Sequence, residues 1–484
     1  MSVSKKSDYC LSSWLITKAV SFVYLIAFLS LATQMIGLVG KEGIIPVAPA
    51  MNELHSRLGL QGLWQVPTLC WFNASDAFLQ FLVWGGAALS ILLFLGIAPA
   101  LTAFLAWIFY LSLTVVGRDF LGFQWDNLLL ETGFLVIFLV PLTMRGNFFL
   151  SCNPTRTAIW IWRLLLFKLM LQSGLVKLLS GDPNWRHLNA LTYHYWTQPL
   201  PNVISWYADK LPLWFQKISV IGVFIVELLV PFFIFFGRRA RTIAFWIFAV
   251  FQIIVILTGN YCFFNILTII IGLSLLDDAY LKKIIGQLIE NNVKKAGGWH
   301  RWVVIPIAAV ILLVSFSQIA LWLTHRPLPK PVMALIGHTM PFRTINNYGL
   351  FAMMTTQRHE IVIEGSSDGV LWLAYEFHWK PGDVKRVPGW VMPHQPRLDW
   401  QMWFAALGNY QENPWVIYLM ARLMENSKPV TALLKTNPFP GQPPKYIRAG
   451  VYDYHFTNRA TLRQDGTWWQ RSARGLYCPV LRQE

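Results

Sequence analysis

The chain has 484 residues, 55% of them hydrophobic and only 13% charged, with a mean hydropathy of +0.44. That charge fraction is about half of what a soluble domain carries, which excludes a soluble enzyme, and the long apolar runs specify a polytopic membrane protein. A net charge of +16 and a pI near 9.7 would suggest nucleic acid in a soluble chain; here basic cytoplasmic loops account for them, and no nucleic-acid partner is expected.

In chain order, MSVSKKSDYCLSSW leads into an apolar run with no small-residue cleavage site, so it reads as a retained first span rather than a cleaved signal peptide. Nine candidate spans follow one another, at roughly 14–38, 77–95, 98–116, 123–142, 157–179, 217–236, 239–257, 261–276 and 301–323. Asn73-Ala74-Ser75, at the lip of the second, matches a glycosylation sequon. The five cysteines, at 10, 70, 152, 262 and 478, show no CxxC spacing, and nothing in the chain specifies a metal or a cofactor.

Orientation follows from Lys and Arg. With Lys5 and Lys6 in the cytosol, the loops on that side carry Arg145 and Arg156, then Arg238, Arg239 and Arg241, then Lys282, Lys283, Lys294, Lys295 and Arg301. The other side carries mixed charges around Lys41, Glu42, Arg118, Asp119, Asp182 and Arg186. The bias predicts a cytoplasmic N-terminus, and nine spans then put everything after His325 outside the cytosol.

Several spans carry polar residues where a charge at the bilayer centre costs about 2.5–3.5 kcal/mol even on the mildest scale. Glu131, in GFQWDNLLLETGFLVIFLVPL, and Lys168, on the next span, both lie about 16 Å of helix rise from the cytoplasmic face. Matched depth on antiparallel neighbours predicts an ion pair. Glu227 lies near the same depth, four residues before Pro231, which lacks the amide that would bond the carbonyl of residue 227. Asp126 and Asn265 lie toward the other face, as does Asn260, and interhelical hydrogen bonds are expected for the asparagines. Arg163 and Lys177 are expected to snorkel to the interfaces. This intramembrane cluster (Glu131, Lys168, Glu227, Asp126 and Asn265) either fixes helix positions or lines a polar cavity.

The loop SGDPNWRHLNALTYHYWTQPLPNVISWYADKLP, residues 180–212, is dense in aromatic and His residues. It reads either as an interfacial segment or as a binding surface, with His194, Trp196 and Gln198 as candidate contacts. His187 and His194 stand two helical turns apart, too far to share a metal.

After RPLPKP, a Pro-rich linker, the text changes. EIVIEGSSDGVLWLAYEF reads as a hairpin, 397–424 as a helix with Trp400, Trp403, Phe404 and Leu407 on one apolar face, NPFPGQPP as a loop, and YIRAGVYDYHFT and TWWQRSARGLYCPV as strands. The predicted fold is therefore mainly α: a polytopic helical membrane bundle of about nine spans over 1–324, and an extracytoplasmic α+β domain over 325–484. Gly365-Ser-Ser-Asp-Gly369 matches the GxSxG of lipases, but that motif needs a strand–turn–helix elbow. β-type text follows it here, and no catalytic residue is assigned. His394, Arg397, Asp399, Trp400 and Trp403 form a polar–aromatic cluster, read either as client contacts or as structural, with Asp399 favouring the first turn of its helix.

FQWDNLLLETGF (123–134), SGDPNWRHLNALTYHYWTQPLP (180–201), VELLVPFFIF (226–235), LTGNYCFFNILTIIIGLSLLDD (257–278), YGLFAMMTTQRHEIVIEGSSDG (348–369) and PHQPRLDWQMWFAAL (393–407) resemble the lipase maturation factor family, and the similarity runs from about 14 to 475. The resemblance implies a multi-pass protein of the endoplasmic reticulum membrane that chaperones secreted homodimeric lipases, with client contacts on the extracytoplasmic side. A bacterial member would sit in the cytoplasmic membrane instead, with its tail in the periplasm. The membrane part more distantly resembles the helical domain of vitamin K-dependent γ-carboxylases, which keeps open an acid/base membrane enzyme. Pro231 beside Glu227 keeps open a transporter.

Overall fold

Inside hydrocarbon every backbone N–H and C=O must be paired within its own segment, so apolar runs of this length become helices. The computed structural model describes residues 8–144, 146–285, 294–295 and 297–483; Lys5, Lys6 and Arg145 lie outside them. Among the described residues, seven helical segments are long and apolar enough to cross a membrane. They are α1 (Cys10–Ala32), α2 (Asp76–Leu95), α3 (Pro99–Val116), α5 (Arg156–Leu179), the segment Leu213–Phe235 that begins with α7 (Leu213–Phe224), α8 (Arg238–Thr258) and α11 (Arg301–Thr324). Between them lie α4 (Gln124–Val136), α6 (Ala190–Thr197), α9 (Phe264–Gly272) and α10 (Asp278–Ile285), and α12 (Lys330–Thr339) follows the last of them.

Local punctuation sets several boundaries. Ser75 Oγ accepts from Phe78 N–H at 3.3 Å to cap α2, and Gly96 ends it at φ 77°. Pro99 opens α3, and Thr155 caps α5. The cap of α1 comes from far away: the Asp278 carboxylate accepts from the backbone N–H groups of Cys10, Leu11 and Ser12.

Two of the nine expected spans are shorter than a bilayer core. Helix α4 has 13 residues, about 20 Å of rise, and gives way to turns ahead of Pro141. Helix α9 runs on as a 3₁₀ turn to Leu275, and the chain then bends by 117° into α10. Counting that bent pair as one gives eight spans.

One end of the bundle gathers residues 8–13, 137–144, 146–156, 238–241, 274–285 and 297–301. Arg238 pairs with Asp277 at 2.7 Å, Trp299 Nε1 donates to Ile137 O at 2.6 Å, and β1 (Leu150–Ser151) bridges β2 (Lys294–Lys295). The opposite end carries the C-terminal part, built on an antiparallel sheet in the order β4 (Leu373–Ala374), β3 (Arg358–Ser366), β5 (Tyr446–Phe456), β6 (Trp469–Leu476), with β7 (Leu481–Arg482) also on β5. Strand β3 pairs with the short β4 and along its length with β5, which pairs with β6. Ile361, Ile363, Ile447 and Ala449 are fully buried.

The helix expected over 397–424 is two, α13 (Arg397–Ala405) and α14 (Trp415–Met424). Pro414 is tolerated ahead of a helix but not inside one, and Asn409 Oδ1 holds the intervening turn through the N–H groups of Gln411 and Glu412. Of the expected apolar face, Trp400 and Trp403 are buried, Phe404 and Leu407 exposed. After β3, Ser366 Oγ and Asp368 Oδ1 accept from the N–H groups of Gly369, Val370 and Leu371. Ser367 thus sits exposed on a hairpin turn, without the helix that a nucleophile elbow requires.

Candidate functional site

Helices α4 and α5 bring Glu131 and Lys168 together. Lys168 Nζ donates to Glu131 Oε1 at 2.7 Å, and each side chain is 2% exposed. The other carboxylate oxygen accepts from Tyr348 Oη at 2.6 Å and from Asn346 N and Nδ2 at 3.0 Å each. Both of those residues come after the last span, so the segment 343–349 inserts into the bundle and completes the solvation of the carboxylate. Gln124 and Gln172 hold the same segment through the N–H groups of Gly349 and Tyr348. The carboxylate half of the pair is thus fully partnered, as a structural joint requires.

Asp126 on α4 is fully buried. Its partner is Arg397, which opens α13 in the C-terminal part. The guanidinium forms a fork, Nη1 to Oδ2 at 2.5 Å and Nη2 to Oδ1 at 2.7 Å, and Tyr110 Oη donates to Oδ1 at 2.5 Å. Gln34 Oε1 accepts from Arg397 N–H at 2.7 Å. Burial lowers the guanidinium's pKa, but Asp126 and Tyr110 outweigh it, and the value stands above the ordinary one.

The residues expected to touch a client are mostly interior. Arg358 on β3 donates to the carbonyls of Trp196, Gln198 and Pro199, pairs with Glu360 at 2.7 Å, and so clamps the 180–212 loop onto the sheet. Trp403 Nε1 donates to Thr197 O at 2.9 Å, and the Trp196 ring lies 4.1 Å from that of His455. Trp400 meets Trp125 edge-on at 4.6 Å. Asp399 accepts from the N–H groups of Trp379 and Lys380, and burial raises its carboxyl pKa against the pull of those donors. His394 Nδ1 lies 2.9 Å from Ser30 Oγ; burial and the nearby charge of Arg397 lower its pKa to about 4. Apart from the half-buried His394 and His194, these side chains are too deeply enclosed to form a surface, because they make the joint between bundle and sheet.

Glu227 does not join Glu131. It sits in a π turn, Ile225–Leu229, followed by a 3₁₀ stretch Val230–Phe235 that contains Pro231. The missing proline amide and the π turn open the backbone at the carboxylate. Lys177 was expected to snorkel; instead it turns inward and donates to both Glu227 oxygens, at 3.0 and 2.8 Å, and to Ser173 O at 2.9 Å. Arg163 likewise stays buried, donating to Ser274 O and Tyr9 Oη at 3.1 and 2.8 Å.

The Lys177–Glu227 pair lines a cavity of about 730 Å³ between α7 and α8, backed by α5 and α9 and covered by α6 and Phe351. Most of the lining is apolar. Its polar groups are that pair, Asn265, Gln252, His194, Tyr261, Tyr195 and the hydroxyls of Ser173, Ser219, Thr258 and Thr268, which donate to carbonyls of their own helices. Asn265 Nδ2 donates to Gln252 Oε1 at 2.6 Å, an interhelical bond from α9 to α8. Asn260 is a loop knot, bonded to Leu200 O, Gly389 O and Val391 N. Of the expected intramembrane cluster the structure therefore makes three separate units: Glu131 with Lys168, Asp126 with Arg397, and Glu227 and Asn265 at the cavity. Arg397 as the partner of Asp126 left no local signal, since the two are 271 residues apart; only the need of each charge for a counter-charge could have suggested it.

Two family models match the chain in order, the lipase maturation factor transmembrane domain over residues 11–283 and the lipase maturation factor C-terminal domain over 344–479. The chain is 35% identical to lipase maturation factor 2 of Xenopus tropicalis, over 93% of this chain and 79% of that protein. It is 34% identical to the human lipase maturation factor 2, over 94% and 80%. Against lipase maturation factor 1 of Bos taurus it is 33% identical, over 99% and 90%. No solved structure matches the chain.

Proposed function

The chain belongs to the lipase maturation factor family, and on that premise we propose that it is a membrane-bound chaperone that assists folding and assembly of secreted lipases and is not itself a hydrolase. The carrying observation is that both family models match in order across most of the chain, in a molecule whose C-terminal part is keyed to its bundle by a buried ion pair. We place it in the endoplasmic reticulum membrane, or in the cytoplasmic membrane of a bacterial cell. Arg156, Arg238, Arg239 and Arg301 gather at the end of the bundle opposite the sheet, which supports a cytoplasmic N-terminus, nine crossings and a luminal or periplasmic C-terminal domain. In that reading α4 and α9 count as crossings, because each joins the two ends. With the polar–aromatic cluster enclosed, client contact falls to exposed apolar side chains of the tail such as Leu371, Trp390 and Tyr418.

The test is secretion of an active homodimeric lipase from cells that lack the chain and from cells that have it restored. Restoration is expected to raise secreted lipase activity and dimer content at equal lipase synthesis. Equal secretion in both would refute the lipase reading. A glycosylation acceptor placed at residue 371 is expected to be modified and one at 240 is not; the reverse would invert the topology.

A further inference from the structure

The cavity between α7 and α8 has a specific chemistry. One face of α7 (Phe215, Ser219, Gly222, Val223) looks onto one face of α8 (Trp246, Val250, Ile254). Phe215, Trp246, Val250 and Ile254 are also exposed on the outside of the bundle, so the gap between the helices opens toward the surrounding hydrocarbon. A side chain built on Gly222 would meet no atom within 4 Å, which marks open space in the middle of that face. The volume falls within the roughly 300–1,000 Å³ of small-molecule sites.

Its hydrogen-bonding capacity is mostly accepting. Lys177 has three protons and three acceptors, Ser173 O and the two Glu227 oxygens, so its charge is neutralised and its donors are used. Gln198 Nε2 donates to the carbonyls of Tyr195 and Thr258, which leaves its Oε1 to accept from Tyr261 Oη at 2.6 Å. The Tyr261 proton is thereby committed, and His194 Nε2, 2.8 Å away, must be the donor to Tyr261 Oη. Burial and the nearby Lys177 lower the His194 pKa to about 4, so the neutral ring presents Nδ1 as an acceptor. Asn265 Oδ1, on a side chain 3% exposed, has no partner among the described residues. A buried acceptor left empty costs about 1–3 kcal/mol. What these groups offer a ligand is thus acceptors, beside the Tyr195 hydroxyl, an apolar wall and, among the described residues, no spare cation.

We propose that this cavity binds a neutral membrane amphiphile, taken up laterally between α7 and α8, whose hydroxyl headgroup donates to Asn265 Oδ1 while its hydrocarbon body lies along Gly222, Val223, Val250 and Ile254. Fatty carboxylates are disfavoured because no free cation faces the cavity among the described residues. Esters without a donor leave Asn265 unpaired. A sterol and a monoacylglycerol share the required chemistry.

The test uses the full chain in nanodiscs with diazirine-bearing sterol in one arm and diazirine-bearing monoacylglycerol in the other. A diazirine-bearing fatty methyl ester serves as the donor-free control, and adducts are mapped by mass spectrometry. At least one hydroxyl probe is expected to label the cavity faces of α7 and α8 at least fivefold more than the ester, saturably, and which arm labels identifies the source. Gly222→Trp is expected to cut that labelling at least tenfold with the melting temperature retained, and Asn265→Leu to erase the preference over the ester. Adducts spread over the outer surface of the bundle, or labelling indifferent to Gly222→Trp in a folded protein, would overturn the proposal. If Gly222→Trp does not fold, competition by excess unlabelled probe on the unaltered chain decides: loss of the adducts supports a site, and persistence overturns it.

Discussion

Removing Arg397 is the sharpest way to ask what holds the C-terminal part to the bundle. In Arg397→Met the Asp126 carboxylate keeps, among the described residues, only Tyr110 Oη as a donor and stays fully buried. Breaking a buried pair from one side costs about 3–5 kcal/mol, whereas replacing both members by apolar groups of similar size is often close to neutral. At 1.36 kcal/mol per decade, the single substitution should raise the undocked fraction by about two to four decades. Asp126→Leu with Arg397→Met should recover at least half of that loss. The assay is native-state proteolysis of the full chain in detergent, following cleavage in the 325–329 segment, together with hydrogen exchange over 391–405. If Arg397→Met shifts stability by less than about 0.5 kcal/mol, or if the double variant costs the sum of the singles, the pair does not dock the two parts.

Other joints give parallel expectations. Glu131→Gln and Lys168→Met should each destabilise, with a coupling of about 0.5–3 kcal/mol in the double variant, measured in the same proteolysis assay; additive losses would mean that the 2.7 Å contact carries no energy. Arg358→Met should leave the carbonyls of Trp196, Gln198 and Pro199 without their donor, cost about 1–3 kcal/mol and speed hydrogen exchange over 193–202. His194 and His394 are held neutral, with pKa values depressed to about 4, so the stability they contribute is present above pH 6.5 and is lost as pH falls from 6.5 toward 4. Each should cost about 1–2 kcal/mol by pH 5, and His394→Asn should flatten the melting profile between pH 7 and 5; an unchanged profile would mean that His394 titrates normally. A fluorophosphonate probe should leave Ser367 unlabelled in peptide mapping, because its turn builds no elbow.

Much of this architecture was legible in the text. Apolar run length specifies membrane helices because hydrocarbon leaves the backbone no other partner, so the bounds of α2, α3, α5, α8 and α11 follow the expected spans closely. Pro231 beside Glu227 announced an opened backbone, and a π turn followed by a 3₁₀ stretch stands there. The Glu131–Lys168 pairing could be read from matched depth because a short loop fixes two antiparallel neighbours.

Charge partners without such a loop could not be read. Asp126 and Arg397, Glu227 and Lys177, and Arg358 with the carbonyls of the 180–212 loop are joined only by the fold. The same holds for the enclosure of Trp196, Trp400 and Trp403, whose aromatic character suits a binding surface and a packed joint equally well. By itself the sequence determined where the chain enters lipid and which buried charges need neutralising, since both depend on local solvation cost. Only the tertiary structure decided which group neutralises which, because a counter-charge acts across a few ångströms of space, whatever its distance along the chain.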